Sequence, residues 1–461
     1  NFSASYAITQ IDHKDPIIEA DQTDDQRAGL DYTYNRNVKY IEPFKGIESN
    51  YLKFIKEINF NLFPNSFTFN TQLKKYQNVR KYRLPEEFDY RFFDKRFSWD
   101  RRYSLNWDFT KSLGLTFTAD NLGVVDELRQ VGLADDAMIV DERGMSKGRP
   151  EEVTQRQIND YAIDNIRRGG RTKSYRHFLN VNYNVPLKNI PLLDFTTLKA
   201  QYNAEYYWEA ASLNVDSLGN VIQNNQNRQL TFNMDFEKLY KKSAYLKKIE
   251  GGNSNARTSR SRSRGSTNNR TPGDRDKAEN DKKKKDRNVT TVEKIFIRPL
   301  MLLRDVKLTY KEDLGTTVPG FSPHTNILGM NPDFSAPGWD FVAGWQPNIS
   351  PTNRSNWLYR GAEQGWFSTS RFLNQQLSQT QQQNFEARVE LEPFKDFEID
   401  INFRKRYTRN HFEEFKNLGD NGNIDYQQIA LNNVGSFELT YFSLNTFFDR
   451  DLLGLFGRFE G

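Results

Sequence analysis

Between Tyr103 and Ala119 apolar and polar residues alternate with little interruption. Tyr103, Leu105, Trp107 and Phe109 alternate with Ser104, Asn106, Asp108 and Thr110. After Lys111-Ser112 the pattern restarts, with Leu113, Leu115, Phe117 and Ala119 against Gly114, Thr116 and Thr118. Successive side chains of a strand point to opposite faces. The stretch therefore predicts a hairpin with one apolar face and one small, polar face.

The pattern occurs thirteen times along the chain. Runs start at Phe2, Leu30 and Ile58, and the third leads through Phe63-Pro64-Asn65-Ser66, a turn sequence, to a run at Phe67. Beyond the Tyr103 hairpin, runs start at Leu179, Leu198, Leu230 and Val306. A last hairpin pairs Phe385–Leu391 with Phe397–Phe403 through Pro393 to Asp396, and Phe437, Leu439 and Tyr441 begin a final strand. Helical signal is thin: Pro150-Glu151-Glu152 and Arg167-Arg168-Gly169-Gly170 delimit one short helix at about 150–168. The organisation is then strands and loops over 1–240, a basic low-complexity insert over 241–302, and strands again over 303–461.

Two architectures share such alternation, the soluble β-sandwich and the outer-membrane β-barrel. Several runs reach the roughly 9–11 residues that cross a bilayer. Tyr103, Tyr206, Trp208 and Tyr407 stand near strand ends, where barrels carry aromatic girdles. The faces opposite the apolar ones are polar throughout. These features favour an all-β fold, a segment of a transmembrane antiparallel β-barrel with long polar loops.

On that reading Asn106, Asp108, Lys199, Gln201, Asn203, Glu205, Glu398, Asp400, Asn402 and Arg404 face the lumen. Leu105, Trp107, Phe109, Leu115, Phe117, Tyr202, Phe397, Ile399 and Ile401 face lipid. Thirteen is an odd count, whereas single-chain bacterial barrels use even numbers. Asn1 already stands inside an alternating run, and Leu455 to Gly461 is turn-like. The expectation is an internal part of a larger barrel. Short turns at 63–66, 111–112, 186–195 and 393–396 define the periplasmic side. They put 74–102, 120–175, 209–228 and 312–383 outside, and 240–302 in the periplasm.

Composition fits this picture. Aromatics reach 14 % of the 461 residues, yet mean hydropathy is −0.82, as expected for half-apolar strands joined by polar loops. No apolar run is long enough for a membrane helix. There is no cysteine, hence no disulfide or thiolate metal site. The net charge of +5 is local: residues 251–288 hold 12 basic and 5 acidic residues, and the rest is slightly acidic.

Chemistry-bearing motifs are scarce. His13, His177, His324 and His411 are scattered and read as surface or loop histidines. Asp420 to Asp425 lacks the register of a calcium loop and reads as an Asn-Gly turn. The Arg-Ser run from Arg257 to Arg264 and Lys282 to Lys285 has no interleaved aromatics for base stacking. It reads as a solvated linker rather than a nucleic-acid site. Carboxylates on the polar faces alternate with Lys, Arg, Gln and Asn, as a wetted wall would. No enzymatic role, cofactor or nucleic-acid partner is expected.

Several linkers have a family look: Phe60-Asn61-Leu62-Phe63-Pro64-Asn65-Ser66, Asp216-Ser217-Leu218-Gly219-Asn220-Val221-Ile222-Gln223-Asn224, and Gly315-Thr316-Thr317-Val318-Pro319-Gly320-Phe321. Ala336-Pro337-Gly338-Trp339-Asp340-Phe341 and Leu391-Glu392-Pro393-Phe394-Lys395-Asp396 continue the series. In order and spacing they resemble the SprA/Sov family, the outer-membrane translocons of the bacterial type 9 secretion system. The resemblance covers most of the chain, the basic insert least. It implies a very large barrel around a protein-conducting pore, which passes folded cargo with a C-terminal signal and in some members supports gliding motility. It also implies a PorV-like shuttle barrel and a periplasmic plug protein as partners, the lipid bilayer as surroundings, and the bacterial outer membrane as location. A porin or receptor barrel and a soluble β-sandwich adhesin are the alternatives. The aromatic stretch Pro337–Phe341 is expected to pack, either on the mouth of the barrel or within its own loop.

Overall fold

A computed structural model describes residues 1–48, 52–83, 91–131, 137–250, 297, 301–353, 355–394, 397–420 and 423–440. The basic run 251–288, the turn residues Lys395 and Asp396, and the segment from Tyr441 onward lie outside them.

Twelve strands form one antiparallel sheet. They are β1 (Phe2–His13), β2 (Ile18–Asn35), β3 (Ser66–Tyr82), β4 (Arg91–Asp108), β5 (Leu113–Val124), β9 (Arg171–Val185), β10 (Thr196–Glu209), β11 (Asn220–Asp235), β12 (Leu303–Phe321), β13 (Leu377–Phe394), β14 (Phe397–Asn417) and β15 (Tyr426–Thr440). Each pairs with the next of these along the chain. The three short strands β6 (Arg129–Val131), β7 (Met138–Val140) and β8 (Ser146–Gly148) make a small sheet of their own in the β5–β9 connection. Among the described residues β1 and β15 each have a strand on one side only.

The Tyr103 hairpin forms as its alternation predicts. Tyr103 stands opposite Ala119, Leu105 opposite Phe117 and Trp107 opposite Leu115. The Thr110 hydroxyl closes the turn by accepting from the backbone N–H of Ser112 and Leu113, at 3.1 and 2.9 Å. In the β1–β2 turn the Asp15 carboxylate accepts from the N–H groups of Ile18 and Ile17, which hold its pKa below the usual carboxylate range.

The large sheet takes twelve of the thirteen runs. The exception is Ile58–Leu62, which makes a single bridge, from Phe60 to Ile41. No place is open to it, because β3 already has β2 on one side and β4 on the other. Phe63–Ser66 accordingly leads into β3 instead of joining two strands.

The strands also run far past the alternation. Of the stretches expected as outer loops, 74–82 and 91–102, 220–228, and 312–321 with 377–383 are strand. Cross-strand polar pairs sustain them: Lys74 with Asp100 at 2.9 Å, Arg80 with Asp21 at 2.8 Å, and Gln383 with Glu312 at 3.0 Å. Backbone ladders need no apolar residues, so a hydropathy pattern misses these extensions.

The connections 36–65, 109–112, 186–195 and 236–302 leave one edge of the sheet. The connections 125–170, 210–219, 322–376 and 418–425 leave the other. The helix near 150 begins later than expected, at Gln155, and ends at Arg167. Thr154 is its N-cap and forms a capping box with Gln157, which outweighs the Pro150 signal. The ends of the 236–302 connection come together, with Tyr240, Ile249 and Met301 buried against each other.

The main core is not between two sheets. It lies between one face of the large sheet and the 55-residue segment 322–376, called the strap below, which joins β12 to β13.

Candidate pore wall and outer surface

Register places every side chain of the sheet on one of two faces. Asn106 is opposite Thr116, Thr116 opposite Asn180, Asn180 opposite Asn203, and Asn203 opposite Asn227. The row continues through Asp313, Gln382 and Thr408. By alternation all ten residues expected at a lumen share this face. Leu105, Trp107, Leu115, Phe117, Tyr202, Phe397, Ile399 and Ile401 share the other. Phe109 lies beyond the end of β4, in the turn, with its ring 4.2 Å from that of Trp107.

The polar face is internally hydrogen-bonded. Asn180 donates to Asn203, Asn203 to Asn227 at 3.0 Å and Asn227 to Asp313 at 2.5 Å, a row of side chains across four strands. Ion pairs join Arg176 to Glu205 at 2.5 Å, Arg388 to Asp400 at 3.2 Å and Arg404 to Glu386 at 3.1 Å. Asn106 donates to Ser66 at 3.0 Å, and Asp108 accepts from Asn65 at 2.5 Å. Lys199 and Gln201 continue the same row of β10, opposite Asn184 and Asn182, and Asn402 is opposite Arg388. Glu398 precedes them on β14, exposed. A groove of about 580 Å³ opens on this face, lined by Asn180, Asn203, Asn227, Asp313, Gln382 and Thr408. Phe178 departs from the pattern: its ring is on the polar side, with the Arg176 guanidinium 4.4 Å above it.

The other face has two unlike halves. Towards the 109–112 turn it is apolar and open. Leu230 is 46 % exposed, Phe397 53 % and Ile401 47 %. Towards the opposite edge it is rich in polar residues and closed by the strap. Asn224 is wholly buried and donates to the carbonyls of Phe341 at 3.0 Å and Trp345 at 2.9 Å. The His177 ring meets the Val342 carbonyl through Nε2 at 3.0 Å. A carbonyl only accepts, so Nε2 carries the proton and Nδ1 accepts from the Tyr175 hydroxyl. Tyr206 and Trp208, expected in an aromatic girdle, have no exposure beneath the strap. Tyr202 sits at the boundary, its hydroxyl donating to the Ala343 carbonyl at 2.5 Å, so it is partly covered by protein.

The strap fits closely. A Cβ at Gly329, where φ is +79°, would come within 2.6 Å of Tyr206. A Cβ at Gly344 would come within 2.7 Å of Ala204. Of the stretch Pro337–Phe341, Phe341 enters the core at 6.1 Å from the Tyr206 ring, whereas Trp339 stays outside. At the far end Gln428 of β15 donates to the Ile349 carbonyl at 2.8 Å and to the fully buried Glu413. Glu413 also meets His411 at 3.0 Å. His177 and His411 are therefore buried strand residues, contrary to the surface reading, while His13 and His324 are exposed.

Sequence reasoning missed the strap because no regular period marks it. One signal was present: Asn224, Gln226, Thr316 and Gln379 interrupt the apolar positions of their strands with groups able to serve backbone carbonyls.

No protein-family model and no curated protein matches this chain. Among the described residues no helix is long and apolar enough to cross a membrane, which leaves crossing by strands open. Nor do they contain a cluster of three or more potential metal-ligating side chains.

Proposed function

We propose that this chain is part of the wall of an outer-membrane β-barrel through which folded proteins are exported. The observation that carries the reading is the segregation of the sheet: one face polar and grooved, the other exposing an apolar band beside the 109–112 turn. Soluble proteins rarely leave such a surface uncovered. In a bilayer the same band is in its proper solvent, and each strand between β1 and β15 is hydrogen-bonded to a neighbour on both sides. The strands β1 and β15 then require further strands, since an open edge is not tolerated in lipid. The resemblance to the SprA/Sov translocons supplies the cargo class, folded proteins with a C-terminal signal. It also supplies the partners, a PorV-like shuttle barrel and a periplasmic plug.

Depleting the protein in the cells that produce it tests the proposal. Cargo bearing the C-terminal signal should disappear from the surface and accumulate in the periplasm, and the protein should fractionate with outer membranes. Undiminished surface delivery would overturn the export role. Recovery in the aqueous fraction would overturn the barrel.

A further inference from the structure

We propose that the rim of the strap, residues 334–345, is an anchor in the lipid headgroup layer on the outside of the wall. The inference rests on the reading of the apolar band as lipid-facing. Barrels place aromatic residues at the membrane border, where a ring meets acyl chains on one side and water on the other. Tyr206 and Trp208 cannot serve, being wholly buried. The strap presents replacements. Trp339 is 53 % exposed and stacks on Phe334 at 5.8 Å with the planes 8° apart. Trp345 is 56 % exposed. This exposure is selective, because Phe341 of the same stretch is buried.

Position supports the same occupant. Residues 342–345 lie on His177, Tyr202, Ala204 and Arg228. The Arg228 guanidinium is 5.1 Å from the Trp345 ring centre. Leu230, the next residue of β11 on that face, belongs to the open apolar band. Two residues of strand span about 7 Å, and a headgroup layer is about 5–8 Å thick. At neighbouring register on β14, Lys405 stands 5.6 Å from the Phe437 ring. The Arg228–Trp345 pair thus marks the border where the band ends, and Lys405 stands one step inside it, in the row of Leu230, so that both place positive charge for lipid phosphates. A protein partner covering the same rings is the rival occupant.

The chain has no cysteine, so single replacements Trp339→Cys, Trp345→Cys, Ile401→Cys and Phe372→Cys can each carry one fluorophore. The protein would be labelled in outer membranes from producing cells. These membranes would be fused with phosphatidylcholine–phosphatidylglycerol vesicles holding a nitroxide at the headgroup or at mid-chain. Quenching at 339 and 345 should be at least twofold stronger with the headgroup nitroxide, quenching at 401 stronger with the mid-chain one, and 372 unaffected. Quenching at 401 with none at 339 and 345 would overturn the anchor and leave the band reading standing. Shielding of 339 and 345 from both lipid nitroxide and aqueous iodide would also overturn it, in favour of a protein partner. Absence of quenching at 401 would remove the band reading and the anchor together.

Discussion

Strand β11 passes through two environments on a single face of the sheet. In one half Leu230 is 46 % exposed and Phe232 and Met234 are half-buried. In the other Ile222, Asn224 and Gln226 are completely or almost completely buried. β12 shows the contrast less sharply: Leu308 and Tyr310 are half-buried in the first half, where Val306 is itself buried, and Glu312, Thr316 and Val318 are buried in the second. The apolar half is the more open and the polar half the more enclosed, the reverse of the usual globular arrangement. The strap explains the enclosed half. It is largely irregular backbone, so its carbonyls need donors, and a buried carbonyl without one costs free energy. Asn224, His177 and Gln428 supply those donors. In the open half the backbone is already paired strand to strand, and the side chains have only their surroundings to match.

The largest expected effect comes from removing the floor under the strap. Trp208→Ala takes away a fully buried indole that also donates to the Pro323 carbonyl at 3.2 Å. A loss of about 3–5 kcal/mol is expected. It should appear as new protease cleavage within 322–376, while cleavage of the turns near 109–112 and 186–195 is unchanged. Cleavage at both edges alike would show that the halves are one cooperative unit.

Charge in the open half comes next. Ile401→Arg should cost about 2–4 kcal/mol if the position is near mid-membrane, seen as a lower urea midpoint in lipid vesicles. The neighbouring Asn402→Arg, on the polar face, should leave the midpoint within error. Equal damage at both positions would erase the distinction between the faces.

Asn224→Ala probes the donors of the enclosed half. It strands the carbonyls of Phe341 and Trp345, for about 1–3 kcal/mol, and strap proteolysis should accelerate less than in Trp208→Ala. The smallest change belongs to the polar face. Arg388→Gln breaks a half-exposed pair with Asp400 and should lower the stability read from urea unfolding by less than about 1 kcal/mol. A larger loss would mean that the polar face is structural rather than a wetted wall.

Much of this was legible in the chain itself. Strict alternation made each run of the Tyr103 type a strand with a known face, because the pleat has a period of two and nothing else produces that period. The order of the strands followed from short turns and antiparallel neighbours. The same rule told which residues share a face, except for Phe109, which lies one residue past its strand; it did not tell that the strap partly covers Tyr202. The rule failed where partners rather than pattern decide. Ile58–Leu62 alternates, but both sides of the adjoining β3 are already taken. Lys74–Tyr82 and Leu377–Gln383 lack an apolar period and are strand because their neighbours are.

By itself the sequence determined an all-β chain whose strands each carry one apolar and one polar face, since side-chain direction in a strand is a local property. Tertiary structure alone decided which apolar positions stay open and which are covered. That depends on where a 55-residue segment without period comes to rest, and it comes to rest where side chains from seven or more distant positions offer donors and a smooth aromatic floor. Tyr206 and Leu230 obey the same alternation. One is wholly buried and the other nearly half exposed, and only the strap distinguishes them.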